Sequence, residues 1–335
     1  MNASNVVGVI LLCTSLTAAQ AVPSPTAHDR QAKRTVSGLM GVPGLLTIHR
    51  PSASAAPSKG SISDPVALGL ARAKVYKYAT ADYPGAALSG VLDTNLSTEV
   101  GFFVNDPTNP ASSDTPFTLK AGVYRILAVP GSTISFLTAI NTVGQMVGGF
   151  IDASGVAHGF IDDAGTITNI DVLGALSTLA FGINDSGQIV GTFGDAGGNG
   201  HGFVDNKGVF TPIDFPGALQ TNVNGNNSAG DLVGVYQDAA RNIHGFVSTA
   251  GVFTTLDFPL ATNTQPFGIN DGGEVDGGYF DAAGVLHGFI YSDGAFATVD
   301  VAGAKSTVLT RIRNNGVVTG EFTDALTETH GFRGH

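Results

Sequence analysis

The tripeptide His-Gly-Phe occurs five times, starting at His158, His201, His244, His287 and His330, and each copy lies 43 residues after the one before. Other columns keep the same step. Gly148, Gly191, Gly234, Gly277 and Gly320 form one, and Phe150, Phe193, Tyr236, Tyr279 and Phe322 form another. Asp152, Asp195, Asp238, Asp281 and Asp324 form a third. A fixed period of this length marks a repeat architecture, in which one supersecondary unit buries its apolar face only against its neighbours. An earlier, degenerate copy carries Thr115-Pro116-Phe117 in place of the tripeptide, after a longer loop, "NDPTNPASSD".

Each unit holds four β signals. In the last full copy these are residues 287–292 (strand a), 295–301 (b), 307–313 (c) and 317–323 (d). The d–a, a–b and c–d links are short and carry Gly with Asp or Asn, the composition of hairpin turns. The b–c link, as in "DFPGALQT", is longer and holds a Pro. Four antiparallel strands per 43 residues predict one blade of a β-propeller, ordered c, d, a, b from the axis outward, with the b–c link crossing to the next blade. Each strand type occurs six times. The first b strand, "VYKYATAD" at 75–82, precedes any full unit, and the chain closes with c, d and a alone. The expected fold is therefore an all-β, six-bladed propeller over residues 72–335, closed by an N-terminal strand that completes the last blade. The rival is a β-solenoid, which prefers shorter coils and parallel strands and leaves the complementary ends unexplained.

Composition agrees. Charged residues make up 13% of the chain, against about 25% in ordinary domains. There are 46 glycines and no tryptophan. A net charge of −11 argues against nucleic acid and anionic lipid as partners. At the N-terminus, the apolar run "VVGVILLCTSLTAAQA" ends in Ala19-Gln20-Ala21, the pattern of an export signal cleaved before Val22. Residues 1–21 are thus expected to be a signal peptide and the protein to be secreted. The opening "MNASN" lacks the usual Lys or Arg. Lipidation of Cys13 is the alternative, which Leu12 fits poorly. Residues 22–71, rich in Pro, Ser and Ala, read as a disordered linker. No other stretch is apolar enough for a membrane span. Cys13 is the single cysteine, so no intramolecular disulfide forms.

The strings "GINDSGQIVGTF", "HGFVDNKGVFTPIDFPGA" and "GINDGGEVDGGYFDAAGVLHGF" resemble the bacterial extracellular repeats called the HAF family, over about residues 75–335. Gly stands here in place of the Ala of that family's name-giving tripeptide. The resemblance implies an extracellular location and a repeat architecture. It carries no established activity and hence no catalytic residues. Some relatives end in an anchoring segment; none is read at the end of this sequence, so surface anchoring is not expected.

The five histidines invite a metal, but equivalent positions on successive blades stand a blade width apart. A structural role is expected instead, in which His bonds a turn or the Asp six residues earlier; no metal and no cofactor are expected. The Asn-Asp-x-Gly links are similar to calcium-binding loops, yet Asp185 and Asp271 stand nearly alone, so a turn role is favoured. Asp171, Asp214, Asp257 and Asp300, with the d–a turns, make one face acidic. No Gly-x-Ser-x-Gly elbow is present, and no carboxylate pair stands out from the repeat. Residues that break the repeat say more. Asn222, Asn224, Asn226 and Asn227 make one c strand unusually polar, and Arg311 and Arg313 replace small and Asn residues in another. With c innermost, Asn222, Asn224, Asn227, Arg311 and Arg313 are candidate ligand-binding residues at the axial channel, suited to a glycan or a carboxylate. The bland alternative is a wet channel with relaxed constraint. The sequence favours a secreted, monomeric, non-enzymatic binding or scaffold protein engaging a polysaccharide or an extracellular protein. The alternative is a carbohydrate-active hydrolase or lyase with a shallow axial site.

Overall fold

In a computed structural model, residues 76–105 and 114–335 form a ring of six four-stranded antiparallel sheets. The expected export signal (1–21) and linker (22–71) lie outside the described residues. Blade 1 comprises β2 (Leu88–Thr94), β3 (Thr98–Val104), β4 (Thr115–Lys120) and β5 (Val123–Ile126). Blade 2 comprises β6 (Ser132–Ile140), β7 (Met146–Asp152), β8 (Ala157–Asp163) and β9 (Thr166–Ile170). Blade 3 comprises β10 (Ser177–Ile183), β11 (Ile189–Gly194), β12 (Gly200–Asn206) and β13 (Val209–Ile213). Blade 4 comprises β14 (Gln220–Asn226), β15 (Leu232–Gln237), β16 (Ile243–Thr249) and β17 (Val252–Thr255). Blade 5 comprises β18 (Asn263–Ile269), β19 (Val275–Phe280), β20 (Leu286–Ser292) and β21 (Ala295–Val299). Blade 6 comprises β22 (Ser306–Ile312), β23 (Val318–Thr323), β24 (Thr329–Gly334) and β1 (Tyr78–Thr80). The order within each blade is c, d, a, b outward, as the repeat predicts. Among the described residues there is no helix.

Two glycine-dependent details set the shape of a blade. Every c strand carries a bulge, as between Ala180 and Gly182, and the repeat glycine of strand d stands opposite it. A Cβ on Gly191 would lie 2.0 Å from the Leu179 carbonyl oxygen and 2.9 Å from the Phe203 ring. Only glycine lets the bulged strand and the ring close down together. Phe117, Phe160, Phe203, Phe246, Phe289 and Phe332, the aromatic residues of the tripeptide column, are each fully buried. Each contributes roughly 1.5–3 kcal/mol by leaving water.

The bulge residues meet near the axis and alternate in chemistry. Leu92, Phe181 and Phe267, from blades 1, 3 and 5, join one central apolar cluster. Thr138, Asn224 and Thr310, from blades 2, 4 and 6, donate to the carbonyls of Ala180, Pro266 and Val91 on the next blade. Apolar packing therefore fills the middle of the ring.

The histidines serve the outer joint. Nδ1 of His158, His201, His244 and His287 lies 2.7–2.9 Å from Asp171, Asp214, Asp257 and Asp300, the aspartates at the end of strand b. Nε2 faces the d–a turn aspartate six residues earlier, at 3.4–3.6 Å in these four blades. Each imidazole also stacks on the d-strand aromatic, with centroids 5.0–5.2 Å apart. At His287 the hydrogen bond to Asp300 holds the imidazole pKa above its ordinary value, against the pull of burial. The Phe or Tyr that follows the b-strand Asp stacks on the next blade's d-strand aromatic: Phe215 on Tyr236 at 3.6 Å, Phe258 on Tyr279 at 3.7 Å.

Blade 6 borrows the same parts from the chain start. The ladder of β1 with β24 is short, three residues against the eight read from sequence, but backbone bonds from Lys77 to His335 and from Ala81 to Gly331 extend it. Asp82 then takes the place of the b-strand aspartate, 2.8 Å from His330 Nδ1 and accepting from the Gly331 amide at 3.2 Å. Tyr83 stacks on Phe103 of blade 1 at 3.8 Å. Asp82→Ala should therefore destabilise the ring by on the order of 1–2 kcal/mol, as Asp171→Ala should within blade 2. Urea unfolding of both variants tests this, and an unchanged midpoint for Asp82→Ala would show that the first strand does not latch blade 6.

Candidate functional site

The c–d turns gather at one end of the axis. In five blades the first turn residue is asparagine: Asn95, Asn141, Asn184, Asn227 and Asn270. Its Oδ1 accepts an amide of its own turn, as from Gln145 to Asn141 at 2.9 Å. Its Nδ2 donates to the backbone carbonyl of the equivalent residue in the next blade, at 2.9–3.4 Å all the way from Asn95 to Arg313. Asp185 and Asp271 reinforce this belt: Asp185 accepts from the Thr142 amide, and Asp271 from the Ser228 amide and hydroxyl and from Asn314 Nδ2. Turn and blade-to-blade roles thus fall on the same residues.

The sixth place in the belt belongs to Arg313, which does something else. Its Nη2 donates to Asp93 Oδ1 of blade 1 at 2.6 Å and also to the Ile140 carbonyl. Two residues earlier, Arg311 fills a column otherwise held by Ala139, Gly182, Gly225, Gly268 and Asp93. The small residues leave the room it needs. A Cβ on Gly268 would fall 3.0 Å from Arg311 Cδ, and one on Gly225 3.0 Å from Nη1. The guanidinium reaches across the axis, donating from Nη1 to Phe267 O at 3.1 Å and from Nη2 to Phe181 O at 3.3 Å, with Nε 3.6 Å from Asp93 Oδ2. Asp93 is 1% exposed and also accepts the amides of Ile140 and Thr94.

Above this floor lies a cavity of about 170 Å³. Of the candidate residues, it brings together Asn227, Arg311 and Arg313, and with them Asn226. Asn222 and Asn224 lie deeper, buried in the blade wall, and do not line it; Asn222 Oδ1 accepts from Thr192. Ile183, Ile269 and Ile312 supply apolar wall. Three side-chain atoms of these residues are buried without a hydrogen bond, Asn226 Oδ1, Arg311 Nε and Arg313 Nε, the second still 3.6 Å from Asp93 Oδ2. Asp93 escapes notice in the sequence because it stands 46 residues before its counterpart Ala139, out of phase with the 43-residue columns. Its signal is the residue type, a lone carboxylate in a strand otherwise apolar or small.

Beneath the floor, Asp276 is fully buried where the repeat has Val147, Val190 and Val233. Its Oδ1 points at the bare face of Gly268, where a Cβ would fall 2.2 Å away. Neither oxygen makes a well-formed hydrogen bond. Burial pushes its carboxyl up to about 7, against the downward pull of Arg311 and the Ile312 amide. Glu321, buried at the blade 6–blade 1 seam beside Gly90, is pushed up to about 8 by burial and then by Asp114. A raised carboxyl keeps its proton in the folded chain while the unfolded chain loses it, so stability falls as pH climbs between the two values. For Asp276 that window runs from the ordinary carboxylate value of 3.8 to about 7. Asp276→Val should raise the unfolding midpoint at pH 8, with the gain shrinking toward pH 4. Denaturation across that range tests it; a lower midpoint at pH 8 would mean that Arg311 depends on this counter-charge.

On the opposite end of blade 6, Asp324, Glu328 and His330 bring ligand-type atoms within 4.8 Å of one another, the one such group among the described residues. Glu328 is exposed there and His330 is already held by Asp82.

No protein-family model matches the chain, and no curated protein matches it. Solved structures do. The β-propeller domain of the Trilobed protease from Pyrococcus furiosus is 10% identical, with a TM-score of 0.45, over 73% of this chain and 94% of that one. AofleA from Arthrobotrys oligospora is 11% identical at 0.49, over 79% and 90%. A lectin of Aleuria aurantia, solved with alpha-methyl-L-fucoside, is 12% identical at 0.45, over 77% and 91%. At such identities the likeness concerns the fold alone: this chain is a six-bladed β-propeller.

Proposed function

We propose that the protein is a secreted, non-enzymatic binding propeller that takes the end of a saccharide at the axial mouth of its c–d turn face. One observation carries the reading. Side chains that depart from the repeat, Asn226 in blade 4 and Arg311 and Arg313 in blade 6, meet at a single cavity, where Arg313 Nη1 carries no hydrogen bond. Convergent polar groups between apolar walls are what a small-ligand site requires. The cavity, about 170 Å³, is smaller than the roughly 300–1,000 Å³ of sites for larger ligands. That size suits one ring entering end-on better than an extended chain.

The acids at the mouth support binding over hydrolysis or lysis. A general acid or base must reach the reacting group with its proton site open. Asp93 has both oxygens engaged, by Arg313 and by the amides of Ile140 and Thr94. Asp185 and Asp271 tie neighbouring turns together. The export pattern of residues 1–21 and the resemblance to HAF repeats support the reading as an extracellular protein. N-terminal sequencing of the exported chain should then begin at Val22. A glycan array probed with that chain should light up glycans sharing one terminal residue, with affinity falling at least ten-fold in Asn226→Ala. An empty array, or undiminished binding by that variant, would remove the basis for this function.

A further inference from the structure

We infer that the axial mouth selects a carboxylate, that of a uronic acid at the end of a saccharide chain. The inference rests on the mouth being a saccharide site and goes further by naming the group that enters. The floor carries two guanidiniums against one carboxylate: Arg311 and Arg313 share Asp93. Three of the four Nη groups are engaged, by Asp93 and by the carbonyls of Phe267, Phe181 and Ile140, while Arg313 Nη1, on a side chain 20% exposed, has no hydrogen bond among the described residues. The two Nε–H groups are buried without a hydrogen bond, that of Arg311 lying 3.6 Å from Asp93 Oδ2. Carbonyls offer hydrogen bonds without a compensating charge, so the floor keeps an excess of positive charge in a largely dehydrated place, where an anion is worth most.

Asp276 is the other carboxylate beside Arg311, and it is a poor counter-ion. It makes no well-formed bond to the guanidinium; burial keeps it protonated below about pH 7, and above that its charge competes with an entering anion. Asp185 and Asp271 stand on the rim, where they are bound into the turns and repel an anion that arrives broadside. A single carboxylate on a ring, entering along the axis, meets the floor while its hydroxyls meet the polar rim. A densely charged polyanion is disfavoured by that rim and by the overall charge of −11.

Calorimetric titration of the full exported chain at pH 8 tests this with D-glucuronate and D-galacturonate, the methyl ester of each, D-glucose and inorganic phosphate. At least one uronate should bind ten-fold or more tighter than its ester, than glucose and than phosphate. Arg313→Asn installs the residue that the other five turns carry, so the belt still closes and the unfolding midpoint reports an intact ring. In that variant uronate affinity should fall at least ten-fold. Asp276→Asn removes the competing negative charge and should tighten uronate binding at least three-fold. If the ester or glucose binds as well as the uronate, the carboxylate inference falls while the saccharide reading stands. Phosphate binding as tightly would reduce the floor to an unspecific anion cradle and overturn the inference. So would undiminished uronate binding by Arg313→Asn, or unchanged binding by Asp276→Asn. If no uronate binds and the glycan array is also empty, both readings fall.

Discussion

A ring of blades is defined by its closure, and everything else in this molecule depends on blade 6 meeting blade 1 at every radius. At the outside, β1 supplies the missing strand, Asp82 clamps His330 and Tyr83 stacks on Phe103. Within the blade wall, Thr310 and Thr319 donate to the carbonyls of Val91 and Leu92. Near the axis, Arg311 and Arg313 reach Asp93. The outer clamp copies those of blades 2 to 5, and the stack copies those between blades 3 and 4 and between blades 4 and 5. The inner ones do not: they replace the asparagine belt with charge beside the one blade built from both ends of the chain. Near-identical repeats can add a blade or pair with another chain as readily as they close, because each interface resembles the next. A charged lock found only on blades 1 and 6 distinguishes correct closure from those alternatives, a use of buried ion pairs for register rather than for net stability.

The same lock forms the floor of the candidate site, so specificity of closure and chemistry of the mouth share residues. Arg311 can cross the axis only because Gly225 and Gly268 carry no side chain in its path. The small residues of the neighbouring blades and the large residue of blade 6 therefore form one feature. The bulges contribute as well. They push Leu92, Phe181 and Phe267 into the axis, closing it below the mouth and keeping the guanidiniums in a confined, weakly solvated setting. Electrostatic selectivity in such a place exceeds what the same side chains deliver on an open surface.

The fold was legible because the 43-residue period reports one thing only, a unit that repeats without slippage. Strand order and the role of the first strand followed from counting strand types, and the structure has both. The bulges were not legible. A bulge adds no residue that alternation alone detects, and its trace, the d-strand glycine, is shared with ordinary turns until a carbonyl is seen 2.0 Å from its missing Cβ. The histidine clamps were half legible: the Asp six residues earlier lies in the same hairpin, whereas the closer partner, thirteen residues later, stands at the far end of strand b. For the site, residue type picked out Arg311 and Arg313 against the repeat background. Asp93 remained hidden in a first copy whose spacing departs from 43. Asn222 and Asn224 lie in the same polar strand as Asn226 and Asn227 but deeper, because the bulge turns part of the strand into the wall.

Asp276 and Glu321 bear on why the site lies at this joint. Both are carboxylates buried where sister blades carry Val, Thr or Gly, and burial pushes both upward. A chain shaped only for stability would keep the repeat's own residues at those columns. Their departures, with those of Arg311, Arg313 and Asp93, fall on blades 5, 6 and 1, and the polar strand of Asn226 adds blade 4, whereas the clamps and stacks elsewhere stay close to the repeat. Tolerated cost concentrated on one arc of a symmetric ring is the pattern expected where function overrides packing. Symmetry supplies the scaffold, and its local failure supplies a place with a direction, a charge and a floor.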